Sequence, residues 1–421
     1  MLKIKLSNFY VRSSMFTVLS LGGAFFNYLT YPVLSRVLDT SSFGNFTVIL
    51  ALSNQVLAIL LAFNIISIYL VKKYPEKDAR EKSQIIQKVL IWFFIAATIL
   101  VLAFSPLINT GLRIDEPLTF LILAVILITA IPAVIWTGYL QGHKRLVQVG
   151  VYAFSGAFFK FVMAVTLGAI WGTVGALWGV MIGTIMGMLI LRLVAGVKLP
   201  KISSMFSPFT NSERKFLSSL TLYTAGAVIV VGGLGILQNI DIIFAKALFD
   251  THTAGVYSGI SILSNAVYYI SFLLVWIILP EMDPNNPMSN RRIIRSAYKV
   301  LLIMGTGALL LEVLFKNFIT QALLGPEFAN QGQILIFATL FQLSLVAVTL
   351  YAFYLLILRS RRSLLLALSV ILPCLLLPWQ LSTNPQNMIV SLWVSVILGV
   401  IIYFITNTIF RIVGKHGQAA S

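Results

Sequence analysis

Charge is scarce in this chain: 10% of its 421 residues are Asp, Glu, Lys or Arg, against about 25% in an ordinary soluble domain. A soluble enzyme, a disordered segment and a fibre are excluded on that count alone. A single cysteine, Cys374, lies in an apolar stretch, so no intrachain disulfide is possible. Three histidines, His143, His252 and His416, fall in loops or in the tail. HExxH, CxxC and Walker signatures are missing. The polar connections are too short to hold a catalytic domain, so the chain is not expected to be an enzyme. No cofactor, no metal, no ATP and no nucleic acid are expected. No ten-residue alternation of apolar and polar residues occurs, which argues against a membrane β-barrel.

What the chain has instead is hydrophobic residues, 59% of the total, in blocks of about 20, the length that crosses a bilayer as helix. Candidate spans fall at 13–34, 43–70, 89–108, 118–140, 147–170, 173–194, 216–243, 255–280, 300–319, 332–358, 363–381 and 388–410. The first follows Lys3, Lys5 and Arg12 but is too long for a signal-peptide core, so it reads as an uncleaved span. With the N-terminus inside, 25 of the 30 Lys and Arg fall on inner segments. Only Arg36, Arg113, Lys246 and Lys316 fall on outer ends, and Lys160 lies within a span. This is the positive-inside asymmetry of a multi-pass protein of the cell (inner) membrane with both termini cytoplasmic. It accounts for the formal net charge of +17.

The chain also repeats itself. A shift of 211 residues aligns Arg36–Val56 with Ala247–Val267 without a gap. Asp39/Asp250, Thr40/Thr251, Gly44/Gly255, Ser53/Ser264 and Asn54/Asn265 are among the identities. The expected fold is therefore all-α and polytopic, with about 12 transmembrane helices in two parallel six-helix halves around a central cavity. Residues 1–195 form the first lobe, 196–215 a cytoplasmic linker, and 216–421 the second lobe and a short tail. Parallel repeats of this kind occur in alternating-access transporters.

Candidate working residues are the polar groups that lie in or beside the spans. Span 1 carries Gly22, Gly23, Asn27 and Pro32; span 7 carries Gly232, Gly233, Gly235, Gln238, Asn239 and Asp241. Interrupted helices at matching places point to a substrate site, while kinking and close packing explain the same residues without one. Asn27, Gln238, Asn54 and Asn265 are candidate substrate contacts or, alternatively, helix-to-helix hydrogen bonds. Lys160 sits near the midplane of span 5, where a lysine faces a cavity or a counter-charge. It is either a contact for an anionic substrate or half of an ion pair with Asp241 or Glu312. Asp241 is the candidate coupling residue. Glu312 with Lys316 one turn on reads as a local pair. Arg36 and Lys246 stand at the outer ends of spans 1 and 7, positioned to meet a departing phosphate or to anchor at the interface. Gly175, Gly179, Gly183 and Gly187 form a small-residue packing stripe. Trp136, Trp171, Trp178, Trp276 and Trp379 read mostly as an aromatic belt.

Several motifs resemble one family. Leu34-Ser35-Arg36-Val37-Leu38 with Phe43-Gly44-Asn45-Phe46 is similar to its L-x-R-x-L…[YF]-G-x-[YF] pattern. Tyr139-Leu140-Gln141-Gly142-His143-Lys144-Arg145 is similar to its Q-G-x-x-R loop. Asp241 followed by Ala254-Gly255-Val256-Tyr257 is similar to its D-x-x…G-x-Y element; Leu279-Pro280 and Leu324-Gly325-Pro326-Glu327-Phe328 match two more. Together they resemble the O-antigen-type polysaccharide flippases of the multidrug/oligosaccharidyl-lipid/polysaccharide (MOP) exporter superfamily. Lys160 falls where that family often has a basic residue. The resemblance implies alternating-access translocation of an isoprenoid-diphosphate-linked glycan to the outer leaflet for cell-surface polysaccharide synthesis. It also implies contact with polysaccharide polymerase machinery. A multidrug exporter of the same superfamily is the main alternative. A membrane polysaccharide polymerase is the enzyme-class one, although its usual large outer loop is missing.

Overall fold

The structure, a computed structural model, describes residues 9–104, 106, 110–111, 118–195, 207–278, 282, 286–358, 360 and 362–419. Part of the expected linker (196–206), Lys3, Lys5, Arg113, Leu279 and Pro280 lie outside them, as does the side chain of Trp276. The described elements are helical throughout, with no strand among the described residues. Seven described helices are long and apolar enough to cross a membrane, and a bent pair makes an eighth candidate. The chain divides into two compact units, residues 1–225 and 226–421.

In the first unit, α1 (Phe9–Val37), α2 (Thr40–Lys73), α3 (Glu76–Ala103), α4 (Leu118–Gly142) and α5 (Leu146–Ala195) follow in order, and α6 begins at Asn211. α5 holds two expected spans joined by a sharp turn, where Trp171 leaves helical geometry and Gly172 takes φ 61°, a left-handed value that favours glycine. The four-glycine stripe makes the antiparallel return possible. A methyl on Gly179 would lie 2.3 Å from Ala164 N, and one on Gly183 would lie 2.3 Å from Lys160 Cα. One on Gly187 would lie 2.9 Å from Gly156 Cα. The stripe is thus a packing seam between the two arms of α5.

The Q-G-x-x-R segment is the tight corner from α4 to α5. Arg145 N donates to Leu140 O and Lys144 N to Gln141 O, each at 2.9 Å, and Lys144 takes φ 57°. This is a Schellman cap with lysine at the left-handed position. Trp136 is not a belt residue: it is 2% exposed, packed with Ala79, Tyr139 and Leu191, with the Arg80 guanidinium 5.9 Å above its ring. Trp171, Trp178 and Trp379 are exposed, as an interface position requires.

The second unit opens on a distorted helix. α6 ends at Ala227, a π-turn covers Val228–Gly232, α7 spans Gly233–Leu237, and α8 spans Ile240–Leu248. α9 (Thr251–Ile278), α10 (Pro287–Leu324), α11 (Gly332–Ile357), α12 (Arg362–Leu381) and α13 (Pro385–Ala419) follow. One side of α10 is bare of protein: Leu302, Ile303, Leu314 and Phe318 are each at least 70% exposed, as a lipid-facing helix would be.

The 211-residue repeat recurs in local structure. α1 ends at Val37 and α8 at Leu248, and α2 begins at Thr40 and α9 at Thr251. Asp39 Oδ2 accepts from Ser42 N at 3.0 Å, and Asp250 Oδ1 accepts from Thr253 N at 3.0 Å and His252 N at 3.1 Å. Both are N-terminal helix caps. Hydrogen bonds from Ser42 hold the Asp39 carboxyl below the usual aspartate value, and bonds from Thr253 do the same for Asp250. The two aspartates shared by the repeats are therefore corner caps.

Candidate functional site

The expected interruption is present in span 7 and not in span 1. α1 runs unbroken from Phe9 to Val37 through Gly22, Gly23 and Pro32. Its glycines serve packing: a methyl on Gly23 would lie 2.8 Å from the Ala153 carbonyl oxygen, and one on Gly22 would lie 2.9 Å from Phe154. Span 7 bends by 50° between Val228–Leu237 and Ile240–Leu248. The break falls at Asn239, with φ −123° and ψ 19°. A π-turn followed by a break frees backbone groups that need polar partners inside a bilayer.

Those partners are side-chain amides. Gln342 Nε2, from α11, donates to the Gln238 carbonyl at 3.0 Å and to Asn265 Oδ1 at 2.7 Å. Asn265 Nδ2 donates onward to Asn239 Oδ1 at 3.1 Å. All four residues are buried. Asn239 Nδ2 and Gln342 Oε1 are buried without a hydrogen-bond partner among the described residues. A network with unused donors and acceptors in an apolar setting is costly unless something else completes it.

Asp241 stands two residues beyond the break and is fully buried. Tyr257 Oη donates to its Oδ2 at 2.9 Å, and Ser261 Oγ donates to the same oxygen. Oδ1 has no partner among the described residues. Tyr257, Ser261 and Asn265 lie four residues apart, so one face of α9 supplies both the carboxylate's partners and an amide of the network. The D-x-x…G-x-Y element thereby acquires a physical meaning: its tyrosine holds its aspartate. Phe328 of another family element is buried against Gly259 on α9, with Gly325 at φ 115° turning the chain into it.

Lys160 lies on the first arm of α5, half-buried, with Gly183 packed on its backbone. Its ammonium has no hydrogen bond or ion pair with the described residues of its own unit. Glu312 takes its hydrogen bond from Thr339 Oγ1 at 2.8 Å. The local Glu312–Lys316 pair fails, because α10 kinks at Phe315 (φ −123°), between the two residues. Asn27 and Asn54 are half-buried in α1 and α2. Arg36 and Lys246 differ sharply: Arg36 is exposed, whereas Lys246 is 1% exposed and hence no interfacial anchor.

Sequence reasoning missed Gln342, Tyr257 and Ser261 as site residues. It also read Lys88 as one more inner-rim charge. Lys88 is 5% exposed, with its ammonium 3.3 Å from Glu213 Oε2 and 3.2 Å from Ser207 Oγ, and 4.5 Å above the Phe209 ring. Glu213 also closes a capping box with Thr210: Thr210 N donates to Glu213 Oε2 at 2.7 Å and Glu213 N to Thr210 Oγ1 at 3.2 Å.

The family model described as "Polysaccharide biosynthesis protein" matches residues 12–283. The chain belongs to that family. No curated protein matches it significantly. Among solved structures, the fold is similar to the lipid II flippase MurJ in an inward closed conformation, with TM-score 0.68 and 13% identity over 95% of this chain and 87% of that one. It is also similar to an inward-facing multidrug resistance MATE family transporter of the MOP superfamily, with TM-score 0.65 and 11% identity over 93% and 96%. A eukaryotic MATE transporter gives TM-score 0.60 and 11% identity over 96% of each chain. At these identities the likeness establishes the fold, which is that of the MOP transporters and flippases. The chain is accordingly a multi-pass membrane protein with that fold.

Proposed function

We propose that the protein flips an isoprenoid-diphosphate-linked oligosaccharide from the cytoplasmic to the outer leaflet of the cell membrane, by alternating access, for cell-surface polysaccharide synthesis. The observation that carries this reading is the broken helix at Gln238–Asn239 with its incomplete amide network and the buried Asp241 two residues beyond it. Broken helices lined by amides are how transporter folds present backbone and side-chain polar groups to a polar cargo at membrane depth. Membership of a polysaccharide biosynthesis family supports a glycan-bearing cargo. A glycan needs amide donors and acceptors, and a diphosphate needs a cation.

In this reading Lys160 is the cation that meets the diphosphate, and Gln238, Asn265, Asn27 and Asn54 contact cargo. Arg36 receives the departing phosphate at the outer side, and Lys246, buried, supports α8 from within. Asp241 takes up and releases one proton per cycle. The rival to proton coupling is the membrane potential, which at about 2.3 kcal/mol per charge per 100 mV favours outward movement of an anion from a negative interior. Both termini are assigned to the cytoplasm by the charge distribution. Export of drugs by the same fold is the second reading, supported by the likeness to multidrug transporters.

The experiment is reconstitution in liposomes with each gradient imposed separately. Lys160→Ala should lower flipping with protein still inserted, and Lys160→Arg should retain more. Normal flipping by Lys160→Ala removes the cation from the account. A pH gradient that drives nothing at zero potential, with Asp241→Asn still responding to potential, removes proton coupling.

A further inference from the structure

α10 begins, α11 ends and α12 begins at one end of the second unit, the end that the charge distribution assigns to the inner side. Between them lies a cavity of about 500 Å³ whose lining includes Arg291, Arg295, Tyr298, Tyr351, Tyr354 and Arg362. Arg291, Arg295 and Tyr298 are spaced by four and three residues, so they share one face of α10. Arg362 opens α12, where a turn at Ser360 holds it: Ser360 Oγ accepts from Arg362 N at 3.3 Å, and Ser360 O accepts from Ser363 N at 3.1 Å. The positive end of the α12 dipole therefore borders the same space. Tyr351 and Tyr354 stack with centroids 6.0 Å apart, and Tyr298 Oη donates to the Ala347 carbonyl at 2.7 Å, which pins its ring against α11.

Among the described residues, no carboxylate lines this cavity. None of the three guanidiniums has an ion-pair or hydrogen-bond acceptor among the described residues. Like charges at i and i+4 mildly disfavour a helix, and Arg291 and Arg295, both exposed, are such a pair. The positive-inside rule explains basic residues on the rim, and Arg292 and Lys299, exposed like the three arginines but outside the cavity lining, satisfy it. It does not explain three guanidiniums converging on a space walled by tyrosines. Guanidinium forks match phosphate oxygens in a bidentate manner. Basic pockets between spans on the cytoplasmic side suit phosphate headgroups.

We propose that this cavity binds a net-anionic phosphate headgroup presented from the inner leaflet, with Arg291, Arg295 and Arg362 gripping the phosphate and the tyrosines flanking what it carries. The site shares no residue with the cluster around Gln238 and Asp241 and does not depend on the transport reading. Two lipids bring this chemistry: an anionic phospholipid, and an isoprenoid diphosphate.

The test is equilibrium binding to the purified full-length protein in detergent, using short-chain phosphatidylglycerol, farnesyl diphosphate and short-chain phosphatidylcholine as probes. At least one anionic probe should bind saturably, and phosphatidylcholine should not. The double variant Arg295→Ala/Arg362→Ala should weaken that binding about tenfold or more, and Arg292→Ala should leave it unchanged. Tighter phosphatidylglycerol marks a resident phospholipid, and tighter farnesyl diphosphate marks a loading point for diphosphate cargo. If the double alanine variant does not stay monodisperse, Arg295→Lys/Arg362→Lys keeps the charge and should still lose part of the affinity. Equal binding of phosphatidylcholine, undiminished binding by the double variants, or an equal loss in Arg292→Ala overturns the proposal.

Discussion

Gly183→Ala probes the seam that carries Lys160. The added methyl would stand 2.3 Å from Lys160 Cα and 2.4 Å from Lys160 N, where apolar atoms normally rest about 3.5–4.0 Å apart. The two arms of α5 must then separate by more than about 1 Å at this level, because the obstructing atoms are backbone and no rotamer change relieves them. Overpacking of this kind costs about 1–3 kcal/mol, and immovable backbone places Gly183 near the upper end. Alanine's better helix propensity returns about 0.5–1 kcal/mol, leaving a net loss of about 2 kcal/mol. For a unit of about 200 residues that is a fall of roughly 4–8 °C in melting temperature. Fluorescence-detected size exclusion after stepwise heating reads it. Gly307→Ala is the control, since nothing lies within 4 Å of a methyl there, and it should melt at or slightly above the parent. If Gly183→Ala melts with Gly307→Ala, the arms do not meet along this stripe and the packing argument is wrong.

Two other predictions follow from the buried polar groups. Gln342→Leu removes the donor shared by the Gln238 carbonyl and Asn265 Oδ1; stranding two buried acceptors should cost about 1–3 kcal/mol, and Asn265→Leu added to it should cost far less than the two losses summed, which a double-mutant cycle on melting temperatures measures. The Lys88–Glu213 contact should fail in acid: partial burial pushes the Glu213 carboxyl up, but the Thr210 backbone amide and then Lys88 outweigh it, so the net direction is below its ordinary 4.5. A lowered carboxylate stabilises above its unfolded value and stops doing so as pH falls through the folded one. Protease cutting near 207–213 should therefore rise at low pH in the parent and be pH-insensitive in Glu213→Gln.

The helices were legible because apolar blocks of membrane length can be little else, and over the described residues each expected span lies mostly on helix. The repeat was legible because its identities are structural: Asp39 and Asp250 cap equivalent helices. The site was half legible. Gly22-Gly23 and Gly232-Gly233 read alike in sequence, yet one stretch stays helical and the other breaks. The difference lies in what stands opposite: Ala153 and Phe154 pack against the first, and the Gln342 amide receives the carbonyl freed at Gln238. Gln342 had no local signal beyond being an amide in an apolar span. Lys88 gave no sign of burial because its partners lie more than 100 residues away. Trp136 misled for a related reason: span-end tryptophans usually face the interface, and here Ala79 and Leu191 close over it.

The central claim is that the cargo is a diphosphate-linked glycan. Proteoliposomes holding the full-length protein and a fluorescent isoprenoid-diphosphate oligosaccharide, quenched from outside by a membrane-impermeant reductant, measure its movement between leaflets. A cationic dye measured in parallel tests drug export. The account predicts that the glycan lipid becomes fully accessible within the assay in parent vesicles, slowly in Lys160→Ala vesicles, and that the dye does not move. Dye transport with a glycan lipid that stays in its original leaflet would contradict it.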